Sequence, residues 1–234
     1  MEKHLKTIGI LGGMSAASTQ IYYRELCRLT RESLGGLHSP ELLIRSVDFD
    51  EIEKLQATSD WDAAAVILSE KAAALERGGA DLLIMATNTM HKVADQILSG
   101  GCPSPSSISQ TPPRQRSLTE VFKGPGLMAT AFTMEQSFYS DRLIAQGLSP
   151  VVPDAGDRAQ THRIIYDELC RDIVTDESRS TYKLIAQRLI DRGCDCLILG
   201  CTEVGMLLNQ DNVGVPVFDT TLIHCKAALR AALL

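Results

Sequence analysis

The chain has few aromatic side chains, no excess of positive charge and no long apolar runs. Phe, Tyr and Trp make up 5% of its 234 residues, and Trp61 is the single tryptophan. Lys and Arg number 23 against 29 Asp and Glu, a net charge of −6. A surface of that sign repels phosphate backbones and anionic lipid, so neither a nucleic-acid partner nor a membrane is expected. No stretch approaches the ~20 apolar residues that cross a bilayer. The opening Met1-Glu2-Lys3-His4-Leu5-Lys6 lacks the apolar core of a signal peptide, which gives a cytoplasmic protein as the expectation. Paired Cys or His runs with zinc spacing are missing too. The seven cysteines stand at 27, 102, 170, 194, 196, 201 and 225. Cys194-x-Cys196 has no second pair to complete a tetrahedron, so reduced thiols and no metal are expected. Gly9-x-x-Gly12-Gly13 is not the dinucleotide fingerprint, which argues against a nucleotide.

What is present is an alternation of short apolar runs and amphipathic stretches. Thr7–Leu11, Leu42–Val47, Asp81–Met85, Gly126–Thr130, Asp195–Leu199 and Val215–Phe218 read as strands. Helices are expected from Ser15 or Ser18 to about Leu29, from Asp60 to Arg77 and from Thr89 to Leu98. Others are expected near 135–146, 158–170 and 177–192, and at the C-terminus. Strands alternating with helices imply parallel α/β sheets. The two halves also resemble one another: Ile8–Met14 answers Gly126–Phe132, and Leu82–Thr89 answers Leu197–Glu203. The expectation is therefore two similar α/β lobes, pseudo-twofold related, with the site in the cleft between them. Residues 1–115 form the first lobe, with helix 221–234 packing on it, and 116–220 form the second.

Residues 102–117 interrupt this pattern. Pro103, Pro105, Pro112 and Pro113, with serines between, cannot form the strand and helix the repeat calls for. A solvated linker is one reading. A sharper one is a local frameshift. With suitable synonymous codons the segment spells, in a shifted frame, Pro-Ile-Pro-Phe-Leu-His-Ile-Ala-Asp-Ala-Thr-Ala-Ala-Ala-Ile, a strand and helix start that mirrors Val215–Thr221. The first lobe is then expected to lack its fourth strand and to lose stability. DNA sequence incompatible with those codons overturns the idea.

Two motifs carry the chemistry: Ala86-Thr87-Asn88-Thr89-Met90-His91 and Gly200-Cys201-Thr202-Glu203, each directly after a buried strand. Ligands of open α/β sheets lie beyond the carboxyl ends of strands. One small polar or sulfur group on either side of a carbon is the layout needed to take a proton from one face and return it to the other.

Together with Ile8–Ser15, Ser46-Val47-Asp48-Phe49, Phe132–Gln136 and Val217–Thr220, these motifs resemble the aspartate/glutamate racemase family over nearly the whole chain except 102–123. The resemblance is strongest to the bacterial branch acting on L-aspartate, L-glutamate or a broader set of amino acids. It implies two α/β lobes, an amino-acid substrate, a homodimer, and no pyridoxal phosphate, metal or other cofactor. Many members carry cysteine at both strand ends; here the first position is Thr87, as in the most similar branch.

Within that frame Cys201 is the expected acid–base thiol. Its reference pKa is ~8.5, and positive surroundings would lower it. Thr87 is a poor base but a fair proton donor or relay. Easy abstraction by Cys201 from one enantiomer and slow reaction in reverse are expected, and Thr87→Cys should raise turnover or relax enantiomer preference. Met14 and Ser15 open a helix whose free N–H groups can hold a carboxylate. Asn88, Thr89 and Thr202 add donors that stabilise an enolate-like state. Glu203 can accept the substrate ammonium or orient Cys201. His91 either tunes Thr87 or covers the strand end. Arg45, Arg158, Arg163 and His162 are candidate cations for a substrate side-chain carboxylate. Two other readings remain open: a related cofactor-independent isomerase or decarboxylase, and a non-catalytic amino-acid binding protein damaged at 102–117.

Overall fold

The computed structural model describes residues 5–99 and 122–233. The chain divides into two compact units, Met1–Gln110 with His224–Leu234, and Thr111–Ile223. Among the described residues each is a parallel sheet of three strands with helices around it, the α/β class that the alternating pattern implies.

In the first unit β1 (Ile8–Gly12) is central and wholly buried. It pairs in parallel with β2 (Leu42–Ser46) on one side and β3 (Leu82–Met85) on the other, Ile8 lying opposite both Leu42 and Leu82. A strand covered on both faces has no polar side to show, which is why β1 and β3 read as continuous apolar runs. Edge strand β2 is half-exposed and carries Arg45 outward. Helix α1 (Ala16–Leu34) is capped by Ser15, whose hydroxyl accepts from the Ser18 N–H at 3.1 Å. Helix α3 (Trp61–Arg77) is capped by Asp60 and stops at Gly78. Leu11, Met14, Leu68, Leu75, Met85 and Met90 form the core between α3 and the sheet. Between β2 and α3 lies α2 (Phe49–Ala57), which the periodicity did not announce. It has nine residues, of which Ile52 and Gln56 are buried, so its apolar signal is faint. The expected helix after β3 is split into a 3-10 turn (Thr89–Val93) and α4 (Ala94–Ser99).

In the second unit β4 (Pro125–Met128), β5 (Cys196–Leu199) and β6 (Val217–Asp219) run parallel in that order. Val151 adds a single bridge to Gly126 on the far side of β4. Pro150 and Pro153 flank it, and residues without an N–H cannot extend the ladder. The expected helix at 135–146 is broken at Gln136, which is extended (φ −96°, ψ 147°), giving α5 (Ala131–Glu135) and α6 (Ser137–Ile144). Helix α7 (Ala155–Asp167) is capped by Asp154, and α8 (Asp176–Asp191) by Thr175. The last helix, α9 (Thr220–Ala232), begins in the second unit and ends in the first.

The internal repeat is visible in the topology. The order β2-β1-β3 corresponds to Val151-β4-β5, and β6 continues the second series beyond β5. The expectations of a frameshift at 102–117 and a missing fourth strand lie outside the described residues.

Candidate active site

In the first unit the carboxyl ends of β1 and β3 are tied together by buried hydroxyls. Gly13, at φ +89°, passes so close to β2 that a Cβ would lie 2.3 Å from the Val47 carbonyl oxygen. The Gly13 N–H donates to Thr19 Oγ1 at 2.8 Å, and Thr19 Oγ1 donates to the Ser15 carbonyl at 2.9 Å. Ser18 Oγ donates to the Ala86 carbonyl at 2.7 Å, pinning α1 to the residue before Thr87. The amides of Gly13 and Ser18 are used within the turn. Met14, Ser15, Thr87 and Thr89 are buried and Asn88 half-buried, all at the same sheet edge.

Sequence reading passed over His224. It is buried in α9, its Nδ1 hydrogen-bonded to the Tyr22 hydroxyl at 2.7 Å and its ring 5.9 Å from that of His91. Its Nε2 is buried with no hydrogen-bond partner among the described residues. Burial, with His91 alongside, lowers its pKa to about 3, so the ring is neutral. His91 thus packs at the strand end beside a second histidine. A lone histidine in a C-terminal amphipathic helix gives no signal of such a pairing.

In the second unit β5 ends at Gly200, whose N–H bonds the Met128 carbonyl at 2.8 Å. A Cβ there would meet Leu127 Cδ1 at 2.7 Å, so glycine lets the chain turn close to β4. The turn delivers Cys201, Thr202 and Glu203, all buried. The Cys201 thiol donates to Glu203 Oε2 at 3.1 Å, and the Thr202 hydroxyl donates to the same oxygen. Cys170, on the 3-10 turn Leu169–Arg171 after α7, donates to the other oxygen, Oε1, at 3.6 Å. These bonds set the Glu203 carboxylate against the Cys201 thiol.

The surroundings of Cys201 do not favour its thiolate. Burial raises its pKa well above the ordinary thiol value, and the Glu203 and Cys170 charges add to the rise. The resting sulfur is therefore a protonated thiol. Tyr182 lies in the same neighbourhood: its hydroxyl donates to the Thr161 carbonyl at 2.9 Å, and burial first, then Cys201 and Glu203, raise its pKa.

Of the candidate cations, Arg45 is exposed, Arg158 is engaged by Glu135 at 2.9 Å, and Arg163 is exposed beside Asp167 at 4.0 Å. His162 is brought to the carboxyl end of β4. Its Nδ1 accepts the Ala131 N–H at 3.2 Å, which leaves the neutral ring's proton on Nε2. Among the described residues no cluster of three or more His, Cys, Asp or Glu is placed to hold a metal ion, and no helix is long and apolar enough to cross a membrane.

The whole chain has close counterparts among solved structures. A Yersinia pestis protein provisionally assigned as an Asp/Glu racemase is 43% identical, with a TM-score of 0.85 over 98% of this chain and 100% of that one. An aspartate racemase homologue from Pyrococcus horikoshii OT3 is 32% identical, with a TM-score of 0.81 over 97% and 99%. A curated relative, an uncharacterised protein from the pnlA 3′ region of Pectobacterium carotovorum subsp. carotovorum, is 34% identical over 86 residues. That match spans 37% of this chain and 56% of the relative's length. The Asp/Glu/hydantoin racemase family model matches residues 11–228, a range that includes both strand-end motifs, and the chain belongs to this family of racemase enzymes.

Proposed function

We propose that the protein racemises an amino acid, aspartate or glutamate, by moving a proton off and onto Cα with its own side chains. The observation that carries the reading is the buried Cys201 thiol at the end of β5, held by Glu203 in a chain that matches the racemase family along most of its length. Glu203 disfavours a thiolate at Cys201. A bound ammonium group would offset that negative charge, so Cys201 would ionise as substrate arrives and take the α-hydrogen. The resulting carbanion spreads onto the substrate carboxylate, where Ser15, Asn88, Thr89 and Thr202 are the donors available to stabilise it. Thr87, directly or through a water, returns a proton to the opposite face, and the same steps in reverse convert the other enantiomer.

Enantiomers have equal free energy, so kcat/KM must be the same in both directions. The unequal strength of Cys201 and Thr87 therefore shows in kcat and KM separately, which sharpens the directional asymmetry read from the motifs. Assembly as a homodimer belongs to the same reading and is checked by sedimentation.

The test is incubation with L-glutamate and L-aspartate, separately, in deuterium oxide. Deuterium at Cα with loss of optical activity is expected for at least one of them. Cys201→Ser should lower the rate by about 100-fold or more, the scale of losing a positioned acid–base group. Tight binding without exchange would favour an amino-acid binding protein instead.

A further inference from the structure

The chain on either side of Thr87 is held from two directions. Before it, the Ala86 carbonyl accepts the Ser18 hydroxyl of α1 at 2.7 Å. After it comes the 3-10 turn Thr89–Val93, in which the His91 N–H bonds the Asn88 carbonyl at 3.1 Å. The His91 ring lies 5.9 Å from that of His224, at 66°. His224 in turn meets Tyr22, which stands one helical turn beyond Ser18 on the same face of α1. The two share the 2.7 Å hydrogen bond and an edge-to-face contact at 5.5 Å and 89°. Helix α1, the Thr87 segment and α9 thus close a ring of contacts, all buried, to which α9 contributes His224. The unbonded Nε2 of His224 is a cost in a buried place, so packing alone does not account for an imidazole there.

We infer that His224 is a positioning residue for the reaction: seated on Tyr22, its ring backs His91 and so fixes the turn that sets the Thr87 hydroxyl toward Cα. His224 itself touches no substrate and moves no proton. Gln56 holds Met90 of the same turn, its Nε2 donating to the sulfur at 3.0 Å, so loss of His224 loosens one side of the turn without undoing it. A reacting group misplaced by about 1 Å loses on the order of 100-fold in rate, and a turn loosened on one side should lose part of that. This inference rests on the acid–base role proposed for Thr87.

The test separates the two faces of the carbanion. Each enantiomer of glutamate and of aspartate is incubated in deuterium oxide with wild type, His224→Ala, Tyr22→Phe and Thr87→Ala, and stopped early. Chiral chromatography with mass spectrometry gives the deuterium in the starting enantiomer relative to the opposite enantiomer formed. When Thr87 delivers late the carbanion waits, the Cys201 sulfur exchanges its proton for solvent deuterium, and deuterium returns to the face the proton left. Thr87→Ala identifies the enantiomer that Cys201 deprotonates, by the largest rise in this ratio. For that enantiomer His224→Ala should raise the ratio about tenfold. Loss of folded enzyme lowers both quantities in proportion and leaves the ratio alone. An unmoved ratio in His224→Ala overturns the inference. Should that variant lose its native near-ultraviolet dichroism, Tyr22→Phe, which removes one hydroxyl and keeps both rings, decides in its place by a rise in the same direction or none. Loss of fold in both assigns His224 a purely structural role and likewise overturns the inference. Wild-type protein that exchanges no α-hydrogen overturns the racemase reading and this inference together, whereas exchange with an unmoved ratio overturns this inference alone.

Discussion

Of the charged groups around Cys201, Glu203 acts most strongly on its thiol. Desolvation is the first cause of the raised thiol pKa and Glu203 the second. A raised pKa means that the base form is scarce near neutrality and grows as pH rises, so kcat/KM in the free-enzyme regime should climb along an alkaline limb. Replacing Glu203 by Gln removes a charge but keeps an acceptor. The limb should then move to lower pH by about one unit, as expected when a neighbouring like charge is withdrawn. A limb that stays in place would show that burial alone sets the thiol. This sign could not be read from sequence. The motif Gly-Cys-Thr-Glu announced a thiol beside a carboxylate, but whether the carboxylate bonds the sulfur depends on a turn of three residues.

The elements that place these groups depend on a few close approaches. Gly13 is the tightest: φ is +89°, and an added Cβ would stand 2.3 Å from the Val47 oxygen and 2.4 Å from its nitrogen, both backbone atoms that cannot swing aside. Gly13→Ala should therefore destabilise the first unit by about 1–3 kcal/mol or more, read as a lower midpoint in urea unfolding. Strand positions were legible in sequence because buried parallel strands are uninterrupted apolar runs, as at Leu82–Met85 and Cys196–Leu199. Helix ends were legible where a cap residue stood, as at Ser15 and Asp60. The misses have physical reasons. Helix α2 is mostly solvated and shows little apolar pattern, and the break at Gln136 is a backbone turn without a Gly or Pro to mark it. Cys170, Tyr182 and His224 were invisible as site residues because their partners are distant in sequence, 202 positions away for Tyr22 and His224.

At the scale of the whole molecule, stability should carry the mark of His224. Its pKa is about 3 in the folded chain, against 6.5 ordinarily. The unfolded chain thus binds a proton there at a pH where the folded one does not. Stability is complete above about pH 6.5 and falls as pH drops toward 3, by at most about 1.4 kcal/mol per pH unit from this one group. His224→Asn, which keeps an acceptor for Tyr22, should flatten the decline of unfolding free energy between pH 6.5 and 4. A decline as steep as in wild type would assign the acid sensitivity to other groups.

Helix α9 has one more consequence, for how the protein is made. The first unit needs residues 224–233: His224 meets Tyr22, and the Lys6 N–H bonds the Ala232 carbonyl at 3.1 Å. Those residues are translated only after the entire second unit. A nascent chain therefore leaves the ribosome with its earliest domain unfinished, and the later domain is the first able to close. The half that carries Thr87 stays open to chaperones and proteases until the final helix arrives.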